Sequence, residues 1–282
     1  MYLVFDIGGT FTRHAVIRNR KLIEINKNKT IKNNKLLNYL EDITISLLRK
    51  YKIRKFKGIG ISAPGALCCE RLELTAPTNT PYIKNLKLIP LKKYTKKLVL
   101  ENDANCAALG AQVFEKQKNI VCLTLGTGVG CGLIINNQLY KGKGSASEFG
   151  HTIVNIDKIN KSSINNSTLE DYISVRGLIN IAKKYNLNKN GFELQELAAK
   201  GNQTALKVYK KYGKYLSTAL VNIANTFDPD VIVLTGGLTH ASQYFLNTAK
   251  QEAKKSFFPG IKPEIKIYKQ NLSLLGAFKL VK

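Results

Sequence analysis

The feature that most constrains this chain is a unit that occurs twice: an apolar strand, a glycine turn and a second strand. "YLVFDIGGTFTRHAVIR" opens the chain, and "NIVCLTLGTGVGCGLIIN" restarts the pattern at residue 119. Around each copy, strand and helix patterns alternate, which marks an α/β layer architecture. Residues 2–8, 12–18 and 21–27 read as three short strands joined by tight turns. In "LLNYLEDITISLLRKY", Leu36, Leu37, Leu40, Ile43, Leu47, Leu48 and Tyr51 recur at helical spacing and give one apolar face. "KGIGISAPG" returns to strand and closes on a Pro-Gly turn, "KLVLEND" is a further strand, and "ANCAALGAQVFE" is a helix former. In the second half, residues 168–226 are mostly helical, with "DYISVRGLINIAKKY" as one candidate helix. "VIVLTGG" is one more buried strand, and "ASQYFLNTAKQEAKKSF" and "SLLGAFKLVK" read as helices on either side of the strand "EIKIYK". The duplication predicts two domains, 1–118 and a larger 119–270, with the last helix (271–282) packing back on the first.

Composition narrows the function classes. The chain has 282 residues, enough for a substantial core, and 44% of them are hydrophobic, but no run approaches the roughly 18–20 apolar residues a membrane span requires. "MYLVFDIGGT" enters a strand directly, with no basic leader or cleavage signature, so a cytoplasmic address and no membrane partner are expected. Five cysteines (Cys68, Cys69, Cys106, Cys122, Cys131) without CxxC spacing argue for reduced core thiols. Lys and Arg outnumber Asp and Glu by 44 to 19, a formal charge of +25. The lysines are scattered rather than clustered and no nucleic-acid motif accompanies them, so a solvated surface is expected and no specific nucleic acid.

Chemistry concentrates at three glycine turns and one polar break. "DIGGT" (6–10), "LGTGVG" (125–130) and "TGGL" (235–238) each follow an apolar strand. Such turns let backbone N–H groups approach an anion, although a ligand-free hairpin uses the same residues. The break is "LENDANCAALGA", where Asn102 and Asp103 stand between a strand and a helix. Asp103 reads either as the cap of a helix beginning near Ala104 or as a catalytic carboxylate at the C-terminal end of a strand, where α/β proteins place ligands.

Taken in order, "DIGGTFTRHAVI", "ENDANCAALGA", "LTLGTGVGCGLI", "EFGH" and "LTGGL" resemble the successive motifs of the ROK family of sugar kinases and related repressors. That family lies within the actin-like ATPase superfamily of hexokinase and the heat-shock ATPases. The resemblance covers nearly the whole chain. It implies a two-domain, ribonuclease H-like fold with ATP and Mg2+ bound in an inter-domain cleft, a hexose beside them, and a homodimer. Asp103 would accept the proton of a sugar hydroxyl as that oxygen attacks the γ-phosphorus. A late proton transfer in a loose transition state suits a carboxylate that a helix N-terminus keeps ionised. Asp6 would hold magnesium through water, or merely cap its turn. Gly8, Gly9 and Thr10, with Thr127 and Gly128, would donate to the phosphates, and Gly236 and Gly237 would pack against the adenosine. Asn102, Glu148, His151 and Glu170 would contact the sugar, with Gly65 and Asn79 as looser candidates.

The chain departs from its relatives in one respect that matters. Many of them bind zinc with the EFGH-like histidine and three cysteines that follow it, whereas "HTIVNIDKINKSSINNSTLEDYIS" contains no cysteine. His151 by itself cannot make a four-ligand structural site, so no zinc is expected, and Ser162, Ser163, Asn165 and Asn166 would hold the loop. Two smaller departures are Cys131 within the glycine run and Ser147 in place of the usual glycine before Glu148. The reading that follows is ATP-dependent phosphorylation of a hexose primary hydroxyl, of glucokinase type. N-acetylmannosamine kinase or fructokinase activity stands as an alternative, with a non-catalytic sugar sensor and a filament-forming actin relative in other classes. The repressor branch is disfavoured because the first motif begins at residue 2.

Overall fold

The computed structural model describes residues 1–76, 83, 85–158 and 167–282, which divide into two compact units. Unit 1 comprises Met1–Lys116 with Asn271–Lys282, and unit 2 comprises Gln117–Gln270. Asn79 and the loop residues Ser162, Ser163, Asn165 and Asn166 lie outside the described residues.

In unit 1 the opening meander is β1 (Tyr2–Ile7), β2 (Phe11–Arg18) and β3 (Lys21–Lys29). It is followed by α1 (Leu36–Lys50), β4 (Gly58–Ala63), β5 (Ala66–Cys68), β6 (Glu73–Ala76), β7 (Leu86–Lys87), β8 (Leu98–Asn102) and α2 (Asp103–Ala111). The main sheet has the order β3-β2-β1-β4-β8, antiparallel across the meander and parallel from β1 to β8. Strand periodicity explains how both faces are used. Leu3, Phe5 and Ile7 point to a core shared with Leu36, Leu40 and Leu47 of α1, while Val4, Ala15 and Ile17 meet Cys106 of α2 and Leu274 and Ala277 of the last helix. A fully buried Phe or Leu in such a core is worth about 1.5–3 kcal/mol. α1 has Arg49 and Lys50 in its last turn, where cations suit the helix dipole. The small sheet β5-β6-β7 is absent from the sequence reading, because strands of two to four residues carry too little alternation to register.

Unit 2 repeats the motif with β9 (Ile120–Leu125), β10 (Val129–Ile135) and β11 (Gln138–Tyr140). Then come α3 (Leu169–Ile173), α4 (Val175–Lys184), α5 (Gly191–Ala199), α6 (Gln203–Phe227), β12 (Val231–Thr235), α7 (Leu246–Lys254) and β13 (Glu264–Ile267). The chain returns to unit 1 through α8 (Leu272–Val281). The sheet order is β11-β10-β9-β12-β13. Val121, Leu123, Leu125 and Val129 pack on the helical layer, where Tyr209, Tyr212 and Phe245 are buried. Burial pushes the Tyr209 phenol up to about 12, and the Tyr212 hydroxyl donates to Ile173 O at 2.7 Å.

Two expected helices prove to be broken. "DYISVRGLINIAKKY" forms two helices because Ser174, in extended conformation, ends α3 and caps α4 by accepting the Gly177 N–H. The segment after "TGGL" is a 3-10 stretch, Gly237–Tyr244, before α7 begins. Among the described residues, no helix is long and apolar enough to cross a membrane.

Candidate functional site

In each unit the predicted residues collect at one end of the sheet. Parallel register aligns Asp6 with Ser62, Ser62 with Glu101 and Ala63 with Asn102, so the C-terminal ends of β1, β4 and β8 lie side by side. In unit 2, Thr235 aligns with Thr124, placing the glycine turns after β9 and β12 next to one another. C-terminal strand ends are where open α/β sheets bind ligands.

Asp6 is buried, 7% exposed, and held by three donors. Ser62 Oγ donates to Oδ1 at 3.2 Å, while Asn271 Nδ2 at 2.7 Å and Arg13 Nη1 at 3.4 Å donate to Oδ2. A carboxylate offers about four acceptor sites, so one further donor, such as a cation-bound water, can still be accepted. Among the described residues no three His, Cys, Asp or Glu side chains gather to ligate a metal. Magnesium held through water, with most of its ligands from water and phosphate oxygens, is the mode that fits a lone carboxylate.

The turn after β1 is tighter than expected. Gly8 N–H donates to Phe11 O at 3.0 Å and Thr30 Oγ donates to Gly8 O at 2.6 Å. Gly8 therefore serves the turn itself, and any phosphate donors would come from Gly9 and the exposed Thr10. Gly65, at φ +79°, makes the turn after β4.

At the polar break the cap is not Asp103. Asn102, extended at φ −61° and ψ 145°, is the N-cap: its Oδ1 accepts from Ala104 N at 2.9 Å and Asn105 N at 3.2 Å. Asp103 is the first residue of α2, half-buried, with Oδ1 accepting the Ala104 N–H at 2.9 Å. Capping and any chemistry are thus divided between neighbours, and the Asn102 amide has only its NH2 left for a ligand. Behind them, buried Glu101 accepts from Asn102 N at 2.9 Å and Asn105 Nδ2 at 3.0 Å. Burial, then the Glu101, Asp6 and Asp103 charges, push the Cys106 thiol well above its ordinary range, so it stays protonated beneath the site.

α8 fastens the site at both acids. Asn271 caps the helix through Leu274 N and donates to Asp6, and Ser273 Oγ donates to Asp103 O at 3.1 Å. Sequence reasoning missed Ser62, Glu101, Asn105, Asn271 and Ser273. Asn271 carries a cap signal before an apolar run, but nothing local announces a partner 265 positions away.

In unit 2, Val129 is the pivot. Its N–H donates to Glu170 Oε2 at 2.8 Å, and Gly150 of the "EFGH" turn lies so close to the Val129 carbonyl that no side chain fits there. A Cβ on Gly128 would stand 2.6 Å from Glu170 Oε2. Leu169 N–H donates to Thr152 O at 2.8 Å and ties the Glu170 helix to the end of that turn. Gly128 and Glu170 are thus in contact, and the half-exposed pair Glu148 and His151, 3.9 Å apart, lies on the same pivot. Thr127 is exposed at the turn tip.

Gly236 has φ +101° and no room for a side chain, because Leu125 O fills the space, whereas Gly237 faces open space. The protein's own backbone, rather than a nucleotide, is what requires glycine at 236. The two departures from the family pattern also meet: Ser147, at φ +70°, donates its hydroxyl to Cys131 O at 2.7 Å.

The model of the ROK family matches residues 2–282. The chain belongs to the ROK family. Relatives within it differ in what they do. A xylose repressor of Bacillus spizizenii is 30% identical over 206 residues, covering 72% of this chain and 54% of the repressor. The chain thus spans about half the length of that relative. An N-acetyl-D-glucosamine kinase of Aliivibrio fischeri is 28% identical, covering 94% of this chain and 93% of the kinase. The crystal structure of a ROK family glucokinase from Streptomyces griseus in complex with glucose and AMPPNP superposes with a TM-score of 0.84 at 23% identity, over 99% of this chain and 98% of that one. This ROK chain therefore has the two-domain actin-like ATPase fold.

Proposed function

We propose that the protein is an ATP-dependent sugar kinase that phosphorylates the primary hydroxyl of a hexose, glucose or an N-acetylated relative. The observation that carries this reading is that the start of α8 reaches both acids at the C-terminal ends of β1 and β8, the strands flanking β4: Asn271 Nδ2 donates to the Asp6 carboxylate and Ser273 Oγ to the Asp103 backbone carbonyl. Structural needs alone do not explain the pair, because Asn102 already caps α2.

In this reading Asp103 orients the attacking hydroxyl and takes its proton late in transfer, as a loose transition state allows. Asp6 would hold a magnesium ion through water, and that ion would supply neutralisation of the phosphate charge. Gly9 and Thr10 in unit 1, and Thr127 in unit 2, donate to phosphate oxygens. Glu148, His151 and the Asn102 amide read sugar hydroxyls; Glu170, committed to the Val129 N–H, steadies the Gly128 turn and offers its other oxygen, Oε1.

A panel of hexoses with ATP and magnesium, read by ADP release, tests this. Asp103→Asn should reduce kcat by at least a thousandfold and leave nucleotide binding within about threefold. Undiminished turnover would remove Asp103 from the mechanism. The xylose repressor among the relatives supports a second reading, a sugar sensor without turnover. On that reading calorimetry would record sugar binding by wild type while no sugar in the panel releases ADP.

A further inference from the structure

The opposite end of the unit 1 sheet carries a cleft that none of the residues above uses. It has a volume of about 450 Å³ and is lined by Tyr2, Arg18, Arg20, Lys57, Phe278 and Lys282, with Met1, Asn19 and Ile53 completing its wall. Register sets its location, since Tyr2 pairs with Ile17 on one side and with Gly58 on the other. Four residue steps along β1 separate Tyr2 from Asp6, about 13 Å at strand rise.

Charge is its defining property. Arg13, Arg71 and Arg176 each form an ion pair with an acid. Arg18, Arg20, Lys57 and Lys282 converge on the cleft with no Asp or Glu in ion-pair distance among the described residues, and no Asp or Glu lines it. The side chains that line it carry four positive charges and no negative one.

The turn between β2 and β3 adds a second, independent observation. Asn19 and Arg20 both have positive φ, 51° and 63°. Such a two-residue turn prefers glycine at its second position, yet an arginine is held there in a conformation that costs backbone energy. That arginine is one of the residues lining the cleft. On another wall, Tyr2 and Phe278 form an edge-to-face pair with centroids 5.3 Å apart.

We propose that this cleft is a second ligand site that takes a small molecule with a di- or triphosphate on a planar body. The volume suits one such molecule, the four cations match its charge, and the aromatic pair offers a face for the planar part. The inference does not depend on the kinase reading, since none of these residues belongs to that machinery.

The test is calorimetry with inorganic tripolyphosphate at 100 mM salt, on wild type and on Arg18→Gln/Arg20→Gln/Lys57→Gln. Binding by wild type and at least tenfold weaker binding by the triple variant is the expected result. No binding by wild type, or equal binding by both proteins, overturns the proposal. Lysine acylation read by mass spectrometry on wild type avoids any folding defect of the variant. Tripolyphosphate should protect Lys57 and Lys282 but not Lys29 or Lys92, and ATP should protect them at lower concentration; uniform labelling defeats the site, and equal protection by the two probes defeats the planar body. A labelled single-stranded oligonucleotide bound more tightly than ATP through the same three side chains would replace the small-molecule assignment with nucleic acid.

Discussion

At the scale of single residues, Ser147 shows what one position can hold in balance. Its φ of +70° strains any residue with a Cβ by about 1 kcal/mol, and its hydroxyl offsets this by bonding Cys131 O. The Cys131 thiol, pushed up by burial and then by Cys122 and Glu148, stays protonated and leaves that carbonyl undisturbed. Ser147→Ala keeps the strain and loses the bond, so it should cost about 1 kcal/mol by urea unfolding. Ser147→Gly loses both and should lie within about 0.5 kcal/mol of wild type. If the two variants denature together, the strain argument is wrong. Residue identity made some of the site legible and some not. Asp6, Asp103 and the glycine turns stand out because an acid or a glycine at the end of an apolar strand is unusual. The exchange of roles between Asn102 and Asp103 was hidden, since either residue caps well and only backbone dihedrals decide which one does. Gly236 shows the reverse: the residue was noticed, but the atom that demands it, Leu125 O, is 111 positions away.

Among elements, α8 is the one whose importance its sequence conceals. "SLLGAFKLVK" is an ordinary, mostly apolar stretch, yet it packs on α2 so closely that a methyl group on Gly276 would overlap Cys106 O, and one on Gly110 would overlap Leu272 O. The same close approach lets Asn271 and Ser273 reach Asp6 and Asp103. Gly276→Ala should therefore push the helices apart, costing about 1–3 kcal/mol of stability. On the kinase reading it should also lower kcat more than it raises KM for sugar, because the displaced Asn271 and Ser273 hold the Asp6 carboxylate and the Asp103 backbone rather than substrate. Thermal melts and the coupled assay check the two halves separately, and an unchanged melting point would mean that the helices tolerate the methyl group. Long strands and helices were legible from periodicity. The break at Ser174 was not, because apolar residues on both sides keep helical spacing while a single extended residue divides them.

For the whole molecule, the surplus of 44 basic over 19 acidic side chains sets how stability responds to solution conditions. Like charges repel in the compact state, and 0.1 M salt screens them beyond about 10 Å, so added salt should raise the melting temperature at pH 7. Acidification increases the repulsion and adds a distinct cost at His14. This ring is 5% exposed on β2, with Nδ1 buried and without a hydrogen-bond partner among the described residues, while Nε2 lies 3.3 Å from Asn26 Nδ2. Burial holds its pKa below the ordinary 6.5, with Glu24 pulling upward and Lys50 pushing down. A folded-state pKa below the unfolded one means that the unfolded chain binds the proton first. Stability is therefore intact above pH 6.5 and is lost as pH falls from there through the lower folded-state value. Salt should recover the part due to surface repulsion and leave the His14 part, which is buried and poorly screened. His14→Phe, which fills the same space beside Phe5 without a titrating group, should flatten the fall between pH 6.5 and 5 at high salt. Parallel melting curves for the two proteins over that interval would show that the proton goes elsewhere.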